Sequence, residues 1–439
     1  MRRLADHVMR GLARLLIRVF FRQVEVQHAE RLPASGPVVL VANHLNGLVD
    51  GLLLMAMLGR YPRFLGKSTL FKILPLWPFL KLAGVIPVHR VIDGATGDQN
   101  VGAFATCHAL LAAGGMVALF PEGISHDEST LQPLRTGAAR IALEAGIDSE
   151  IKGVVTVAVG LTYDAKARFR SRALVRIAEP VNISRWAAFH EADGWDVVRQ
   201  FTDDVAAQLR TVSPSYESWQ QAEQLSRIAE VVVRSPEDDL PAHVNLADRE
   251  EVAQKLASLE AECGDRLLGL MASFAEYERD LTLLGLSDAQ VVAKYPQGKL
   301  RGSLVWSLVK VLVALPIAAV GVVIHLIPFQ IMKQLAKRPT NEGIKATVKL
   351  LGCVVLFAVT YALLGYFMAR AFGAWFGLLA ALAAPFCGYV AVRMAERIKR
   401  IGGLVDGYRT VRGRNAVLAT VFSHRTAVVD AVRQLLASK

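Results

Sequence analysis

Cysteine is scarce in this 439-residue sequence. The four cysteines are Cys107, Cys263, Cys353 and Cys387, and no two of them form a CxxC pair. Structural zinc sites and disulfide frameworks need several cysteines at characteristic spacings, so the sequence indicates neither. Widely separated thiols are compatible with a reducing compartment.

Acidic residues are also in deficit. The chain has 39 Asp and Glu against 50 Lys and Arg, a formal net charge of +11. Such an excess suits nucleic acid, a membrane surface or anionic substrates. Hydrophobic residues make up 53% of the chain, and residues 303–332 and 348–394 are almost continuously apolar. These stretches are long enough to enter a bilayer, so we expect the positive charge to face anionic lipid and not nucleic acid.

The stretch PVVLVANHLNGLVDGLLL, residues 37–54, predicts the centre of the fold. Residues 38–41 have the composition and length of a buried strand. His44 then lies at the carboxyl end of that strand, where open α/β sheets usually bind ligands. We expect Asp50 to be the N-cap of a helix over residues 51–58, with its carboxylate facing back to His44.

This pair of side chains predicts proton transfer. A carboxylate bonded to one imidazole nitrogen fixes the tautomer and raises the basicity of the other nitrogen. His44 would then take a proton from a hydroxyl group. The alternative is a loop histidine beside an aspartate that only caps a helix.

A second predicted strand ends in a cation. Residues 84–90, GVIPVHR, are a short strand that finishes at Arg90. The guanidinium fork is well shaped for a phosphate, and the alternative is a solvated side chain at a strand end.

A third buried strand, residues 116–120, leads into the polar sequence PEGISHD. Ser125, His126 and Asp127 have the residue types of a hydrolase triad. They are neighbours in the sequence, however, and so cannot converge as triad members do, and the GxSxG elbow is absent. Residues 133–145 then predict a helix whose amino end, with Arg135, is a candidate anion site.

The two ends of the chain carry different apolar patterns. Residues 1–21 intersperse arginines among apolar residues and have no clear cleavage site, which predicts a basic interfacial helix; an amphipathic core helix is the alternative. Residues 348–372 and 374–394 predict a two-span hairpin. Pro316 lies near the middle of residues 303–332, which either dip into the bilayer and return or cross it. His325 in this segment is either a packing residue or a relay.

Three motifs together resemble those of the glycerolipid (PlsC-like) acyltransferase family. They are NHLNGLVD at 43–50, GVIPVHR at 84–90 and FPEGISHD at 120–127, and the resemblance covers residues 25–182. Five residues separate His44 from Asp50 where the family usually has four, and ISHD follows FPEG. Both features are similar to the branch with the fungal glycerol-3-phosphate and dihydroxyacetone-phosphate acyltransferases.

The resemblance implies a role for each motif residue. His44 would be the general base and Asp50 its orienting partner. Arg90, Glu122 and Gly123 match the acceptor-binding motifs, and Ser125 lines the same rim. Glu122 would orient Arg90 or contact the acceptor, and the alternative from physical chemistry is a buried carboxylate that accepts turn amides.

The expected protein is therefore an O-acyltransferase of phospholipid biosynthesis with no cofactor or metal. It would move a fatty acyl group from acyl-CoA or acyl-carrier protein to glycerol 3-phosphate or dihydroxyacetone phosphate. The alternatives are a lysophospholipid acyltransferase, with 1-acyl-glycerol 3-phosphate as acceptor, and an inactive membrane scaffold or lipid-binding protein. Membrane lipids would be its partners, and its active domain would lie on the cytoplasmic side.

The expected architecture is an α/β acyltransferase domain followed by a helical region and C-terminal transmembrane helices. The predicted segments are a basic interfacial helix (1–24), the acyltransferase domain (25–185), a helical domain (186–300), a membrane region (301–400) and a basic helical tail (401–439).

Overall fold

The computed structural model describes residues 2–73, 76–89, 100–235, 238–337, 342–412 and 415–437. The chain divides into two compact units. The first unit comprises Met1–Glu217 together with Pro339–Leu350, and the second comprises Ser218–Arg338 together with Leu351–Lys439.

The sheet of the first unit has eight described strands. They are β1 (Phe21–Gln27), β2 (Val38–Ala42), β3 (Arg63–Lys67), β4 (Ile86–Val88), β5 (Met116–Leu119), β6 (Val155–Tyr163), β7 (Ser171–Ile177) and β8 (Val181–Asn182). Their spatial order is β1-β7-β6-β2-β5-β3-β4, and β8 pairs with β6. Strands β6, β2, β5, β3 and β4 are parallel, whereas β7 and β8 are antiparallel to β6. Parallel strands are buried on both faces, which explains why β2 and β5 are continuous apolar runs.

Helices cover both faces of this sheet. They are α1 (Arg2–Phe20), α2 (Leu48–Met57), α3 (Trp77–Ala83), α4 (Val101–Ala112), α5 (Gly137–Ile147) and α6 (Ser184–Val212). On one face, Leu40 of β2 lies in an apolar cluster with residues of α1 and α2. On the other face, the adjacent Val39 lies in a cluster with residues of α4, α5 and α6. Successive strand residues point to opposite faces, so β2 contributes to both cores.

Most predicted elements of this unit are present, with shifted ends. The predicted helix over residues 133–145 begins later, as α5 at Gly137. The Arg135 N–H donates to the Pro121 carbonyl at 2.7 Å, which keeps residue 135 in the preceding loop. Residues 21–27 are not part of the first helix, because they pair with β7 as an edge strand.

The first unit extends beyond the predicted limit at residue 185, because α6 packs against α5 and β6. A Cβ atom added at Gly160 of β6 would lie 1.9 Å from the Val212 carbonyl oxygen. Only a glycine permits the end of α6 to approach the strand so closely.

The second unit is helical. Its helices are α7 (Trp219–Val233), α8 (Leu246–Ser258), α9 (Glu260–Leu284), α10 (Asp288–Val292), α11 (Gln297–Leu335), α13 (Ala374–Val411), α14 (Asn415–Ala437) and, from Leu351 onward, α12 (Glu342–Phe372). Asp288 is buried between two arginines: its carboxylate accepts from Arg234 Nε at 2.6 Å and from Arg425 Nε at 2.9 Å. The Tyr277 hydroxyl donates to the same carboxylate at 2.7 Å. A buried charge needs such partners. The four side chains come from the end of α7 and from α9, α10 and α14, so their hydrogen bonds join these four helices.

Within the described ranges, three helices are long and apolar enough to cross a bilayer: Gln297–Leu335, Lys345–Phe372 and Ala374–Val411. Helix α11 is continuous through Pro316, so the structure does not contain the break that a re-entrant segment would need. Gly373, with φ of 98°, separates α12 from α13.

His325 donates from Nδ1 to the Gly321 carbonyl at 2.7 Å, and the Tyr361 hydroxyl lies 2.8 Å from its Nε2. His325 thus bonds within α11 and to α12, and whether it is a packing residue or a relay stays a prediction. The predicted fold class, an α/β domain followed by a helical region and apolar C-terminal helices, is confirmed.

Candidate active site

The carboxyl ends of β2 and β5 bring two polar motifs together. The strands are parallel neighbours with Val41 opposite Leu119, so the residues that follow them leave the sheet side by side. Asn43 ends the pairing of β2 with β6, because its side-chain amide exchanges two hydrogen bonds with the backbone of Leu161. His44 is the first residue beyond this amide, and Glu122 occupies the corresponding place after β5.

His44 and Asp50 form a hydrogen-bonded dyad. His44 Nδ1 lies 2.9 Å from Asp50 Oδ2. The Asp50 carboxylate is fully buried, whereas the His44 side chain is 18% exposed. The imidazole stacks on Phe120 with ring centroids 4.0 Å apart. Since the carboxylate accepts from Nδ1, the lone pair is on Nε2, which makes no hydrogen bond to the residues that the structure describes.

Asp50 reaches His44 in a different way from the one predicted. Helix α2 begins at Leu48 after Gly47, which has φ of 50°. Asp50 is therefore not an N-cap but lies in the first turn of the helix, where a carboxylate is favoured by the helix dipole. From there it reaches back along the chain and accepts the Asn46 N–H at 2.7 Å. The turn at Gly47 thus allows Asp50 to reach His44 across the five residues between them.

Tyr163 is a member of this site that the sequence did not indicate. Its hydroxyl donates to Asp50 Oδ1, from the last residue of β6. Burial, followed by the charge of Asp50 and the hydrogen bond to it, raises the pKa of Tyr163 well above its usual value. The phenol therefore stays protonated and keeps donating to the carboxylate. Its only signal in the sequence is its position at the end of an apolar strand, which many tyrosines share.

Glu122 is a buried carboxylate with three donors. Oε1 accepts the His44 N–H at 2.7 Å, and Oε2 accepts the Gln132 N–H at 2.9 Å and a hydrogen bond from His126 Nε2. His126 Nδ1 accepts the Glu128 N–H at 3.2 Å, so the Nε2 atom carries the proton that bonds to Glu122. The structure thus agrees with the alternative in which Glu122 accepts turn amides. Its contact with an acceptor substrate stays a prediction.

The residues after Glu122 contact three different groups and do not form a triad. Ser125 Oγ accepts the Gly47 N–H at 3.0 Å. His126 binds Glu122, and Asp127 forms an ion pair with Lys166. The rejection of a hydrolase triad is therefore confirmed, while substrate binding by Ser125 stays a prediction.

Arg135, a cation, lies beside Gly123 at the rim of the site. The φ of this glycine is +74°, and a Cβ atom there would lie 3.0 Å from Arg135 Nε. Arg135 is exposed, and among the described residues its guanidinium has no hydrogen bond or ion pair. Arg90, the other predicted anion-binding residue, lies outside the residues that the structure describes.

These groups have the chemistry of proton transfer and anion binding. Across the described ranges of the chain, no three His, Cys, Asp or Glu side chains are grouped as metal ligands would be. A histidine that carries its proton on Nδ1, held by a buried carboxylate, presents a basic nitrogen to any hydroxyl that approaches Nε2.

The acyltransferase family model matches residues 23–161 of this chain. These residues form an acyltransferase domain. His44, Asp50, Arg90, Glu122 and Gly123 all lie within it. Tyr163 follows the matched segment by two residues, which is why the family pattern did not indicate it.

Curated relatives extend the similarity beyond the acyltransferase domain. Glycerol-3-phosphate O-acyltransferase 2 of Saccharomyces cerevisiae is 27% identical over 298 residues, which are 62% of this chain and 39% of the relative. An uncharacterized acyltransferase of Schizosaccharomyces pombe is 23% identical, over 63% of this chain and 54% of its own length. Glycerol-3-phosphate O-acyltransferase 1 of Saccharomyces cerevisiae is 33% identical over 24% of this chain and 14% of its own. The chain thus covers at most 54% of the length of these three relatives.

Among solved structures, the 1-acyl-sn-glycerophosphate acyltransferase PlsC from Thermotoga maritima matches with a TM-score of 0.35 and 18% identity. The match covers 48% of this chain and 80% of that one.

Proposed function

We propose that this protein is an O-acyltransferase of phospholipid biosynthesis, with glycerol 3-phosphate or dihydroxyacetone phosphate as acceptor and acyl-CoA or acyl-carrier protein as donor. The observation that carries the proposal is the His44–Asp50 dyad, with its 2.9 Å hydrogen bond at Nδ1 and a basic Nε2. The similarity to two yeast glycerol-3-phosphate acyltransferases supports the choice of acceptor.

The reaction proceeds by direct transfer. His44 Nε2 removes the proton of the acceptor hydroxyl while its oxygen attacks the thioester carbonyl. The tetrahedral intermediate collapses with breakage of the C–S bond, and the proton on Nε2 passes to the departing thiolate. The buried Asp50 carboxylate stabilises the imidazolium that exists between these two steps. Ester and free thiol are the products, and the dyad returns to its initial protonation state.

The acceptor phosphate would bind to guanidinium groups at the rim. Arg90 is the residue that the motifs assign to this role, and Arg135 beside Gly123 is an exposed cation close to the same turn. A guanidinium binds a phosphate through two parallel hydrogen bonds. Such binding would hold the hydroxyl near Nε2 and so lower the entropy lost in the reaction.

The first unit has features suited to a membrane surface. Helix α1 buries Met9, Ala13 and Ile17 and leaves Leu4 and Leu15 exposed at 70% and 59%. Arginines along the same helix would bind anionic headgroups. We place the active domain on the cytoplasmic side, because Lys345 and Lys349 precede the apolar part of α12 and basic residues favour that side.

An acyl-transfer assay on the detergent-purified full chain tests the proposal. Glycerol 3-phosphate, dihydroxyacetone phosphate and 1-acyl-glycerol 3-phosphate are offered separately, each with palmitoyl-CoA or palmitoyl-acyl-carrier protein. We expect product from one of the first two acceptors, and a loss of kcat of about 10²–10⁴-fold in His44→Ala. His108→Ala is the matched control, because His108 pairs with Asp148 at the surface of the same unit, at 3.1 Å.

The other functions are distinct outcomes of this assay. Product from 1-acyl-glycerol 3-phosphate alone would identify a lysophospholipid acyltransferase. A folded preparation that acylates no acceptor with either donor would favour the inactive scaffold and contradict the proposal.

A further inference from the structure

The turn that carries His44 has four backbone N–H groups held by side chains. Their acceptors are Glu122 for His44, Asp50 for Asn46, Ser125 for Gly47 and Thr347 for Leu48, at distances of 2.7, 2.7, 3.0 and 3.2 Å. Three of these acceptors belong to motifs already assigned to the site. The fourth, Thr347, comes from α12, about 300 residues further along the chain.

The Thr347 contact satisfies an unpaired group at the start of a helix. Leu48 is the first residue of α2, and the first N–H groups of a helix have no acceptor within it. Gly47, the N-cap, has no side chain to accept one. A hydroxyl from a distant segment therefore does what an N-cap side chain usually does. Asp50 lies two residues further in the same turn of helix.

The segment that contains Thr347 is firmly part of the first unit. Ala346 and Leu350 are buried in the apolar cluster that includes Val49 and Leu53 of α2. Lys349 Nζ donates to the Ala167 carbonyl in the loop between β6 and β7. The neighbouring Lys166 carbonyl accepts from Asn46 Nδ2 at 3.0 Å. The start of α12 thus contacts the catalytic turn directly through Thr347 and indirectly through this loop.

We propose that Thr347 is a positioning residue for acyl transfer. Its hydroxyl caps α2 and so sets where Asp50, and through Asp50 the His44 imidazole, lies. The inference rests on the proposed function for its catalytic consequence, because misplacement of a general base by a fraction of an ångström lowers the rate of proton transfer. The same helix continues as a candidate membrane span from Lys345 to Phe372. The position of the proposed general base therefore depends on a helix that continues as a candidate membrane span.

Two substitutions separate the hydroxyl from the shape of the side chain. Thr347→Val removes the acceptor at nearly constant volume, and Thr347→Ser keeps it. The matched control is Thr106→Val, because Thr106 lies exposed on α4 with its hydroxyl bonded to Gly102 of its own helix. All variants are made in the full chain, in detergent, and the thermal unfolding midpoint is recorded for each.

We expect kcat of Thr347→Val to fall about tenfold, with KM for glycerol 3-phosphate and palmitoyl-CoA within about twofold of wild type. Thr347→Ser should restore most of kcat, and Thr106→Val should leave it unchanged. Amide hydrogen exchange of the peptide that contains residues 45–50 should be faster in Thr347→Val and normal in the other two variants. A residue needed only for folding would instead lower the unfolding midpoint and accelerate exchange throughout the first unit.

Unchanged exchange over residues 45–50 in Thr347→Val overturns the inference, as does an equal loss of kcat in the valine and serine variants. If wild type acylates no acceptor, the proposed function fails, and the exchange experiment still decides whether Thr347 caps the turn. If Thr347→Val does not fold, Lys349→Met replaces it. That variant loses the hydrogen bond to Ala167, and it must show faster exchange over residues 45–50 for the inference to stand.

Discussion

The carboxylate of Glu122 holds the backbone of His44, through the 2.7 Å hydrogen bond from the His44 N–H to Oε1. The two residues belong to different motifs and are 78 positions apart. The motif after β5 therefore fixes the main chain of the proposed general base, His44. Asp50 fixes its imidazole, so two separate carboxylates position one histidine.

Glu122→Gln should destabilise the first unit. Three donors converge on the two carboxylate oxygens, and an amide has only one oxygen acceptor, so at least one buried donor loses its partner. We expect a cost of about 1–3 kcal/mol in the free energy of unfolding, together with a lower kcat. Thermal unfolding and acyl transfer measure the two effects. Glu144→Gln is the control, because Glu144 is exposed and lies 3.8 Å from Arg140. Wild-type stability in Glu122→Gln would contradict the three-donor arrangement.

Asp50→Asn should abolish most activity while the protein still folds. Asn46 N–H, Tyr163 O–H and His44 Nδ1 all bond to the carboxylate, and an asparagine cannot accept from all three. His44 would then lose the tautomer that leaves Nε2 basic, and kcat should fall by about 10³–10⁴-fold. Asp148→Asn tests the same change in the surface pair with His108 and should leave kcat unaltered. Equal kcat values for Asp50→Asn and wild type would show that the His44–Asp50 dyad does not take part in the reaction.

Tyr163 should make stability depend on pH in the alkaline range. Below about pH 10 the phenol is protonated in both the folded and the unfolded chain, so its hydrogen bond to Asp50 contributes fully. Above that pH the unfolded chain releases the proton and the folded chain keeps it, because its pKa is raised. The stability advantage of wild type over Tyr163→Phe should then shrink by about 1.4 kcal/mol per pH unit. Denaturant unfolding of both proteins between pH 8 and 12 measures this difference. An advantage that grows with pH would mean that the folded pKa is lowered.

Gly123→Ala should weaken acceptor binding. The residue has φ of +74° and its new Cβ would lie 3.0 Å from Arg135 Nε, so both the turn and the arginine must shift. We expect a loss of about 1 kcal/mol in stability and a higher KM for glycerol 3-phosphate. Gly137→Ala is the matched control, because a Cβ there meets no atom within 4 Å. If KM rises equally in both variants, Arg135 is not the cause.

The sequence was sufficient to predict the parts of the site that are local or carried by motifs. The strand before His44 is continuously apolar, and the polar residues after β2 and β5 meet because parallel neighbours end at the same edge. The position of Asp50 was predicted less well, since the sequence does not show that Gly47 turns the chain early enough for the helix to begin at Leu48.

Long-range partners could not be predicted. Tyr163 and Thr347 lie 113 and 299 positions from the residues that they contact. Neither belongs to a motif, and a tyrosine at a strand end or a threonine in an apolar helix is common. Their contacts follow from the pairing of β6 with β2 and from the burial of Ala346 and Leu350, which are features of the tertiary structure. The arrangement around Glu122 was foreseen only as an alternative, because a buried carboxylate must find donors but its sequence does not name them.

The discontinuous first unit has a consequence for synthesis of the protein. Residues up to Glu217 leave the ribosome well before Ala346 and Leu350, which complete one face of the core. At typical rates of about 5–20 residues per second, the interval is roughly 6–27 s. During that time the nascent acyltransferase domain exposes the apolar surface that these two side chains later cover, and its histidine turn has one N–H without its acceptor. The hydrogen bond from Leu48 to Thr347 can therefore form only after the preceding long apolar helix, α11, has been translated.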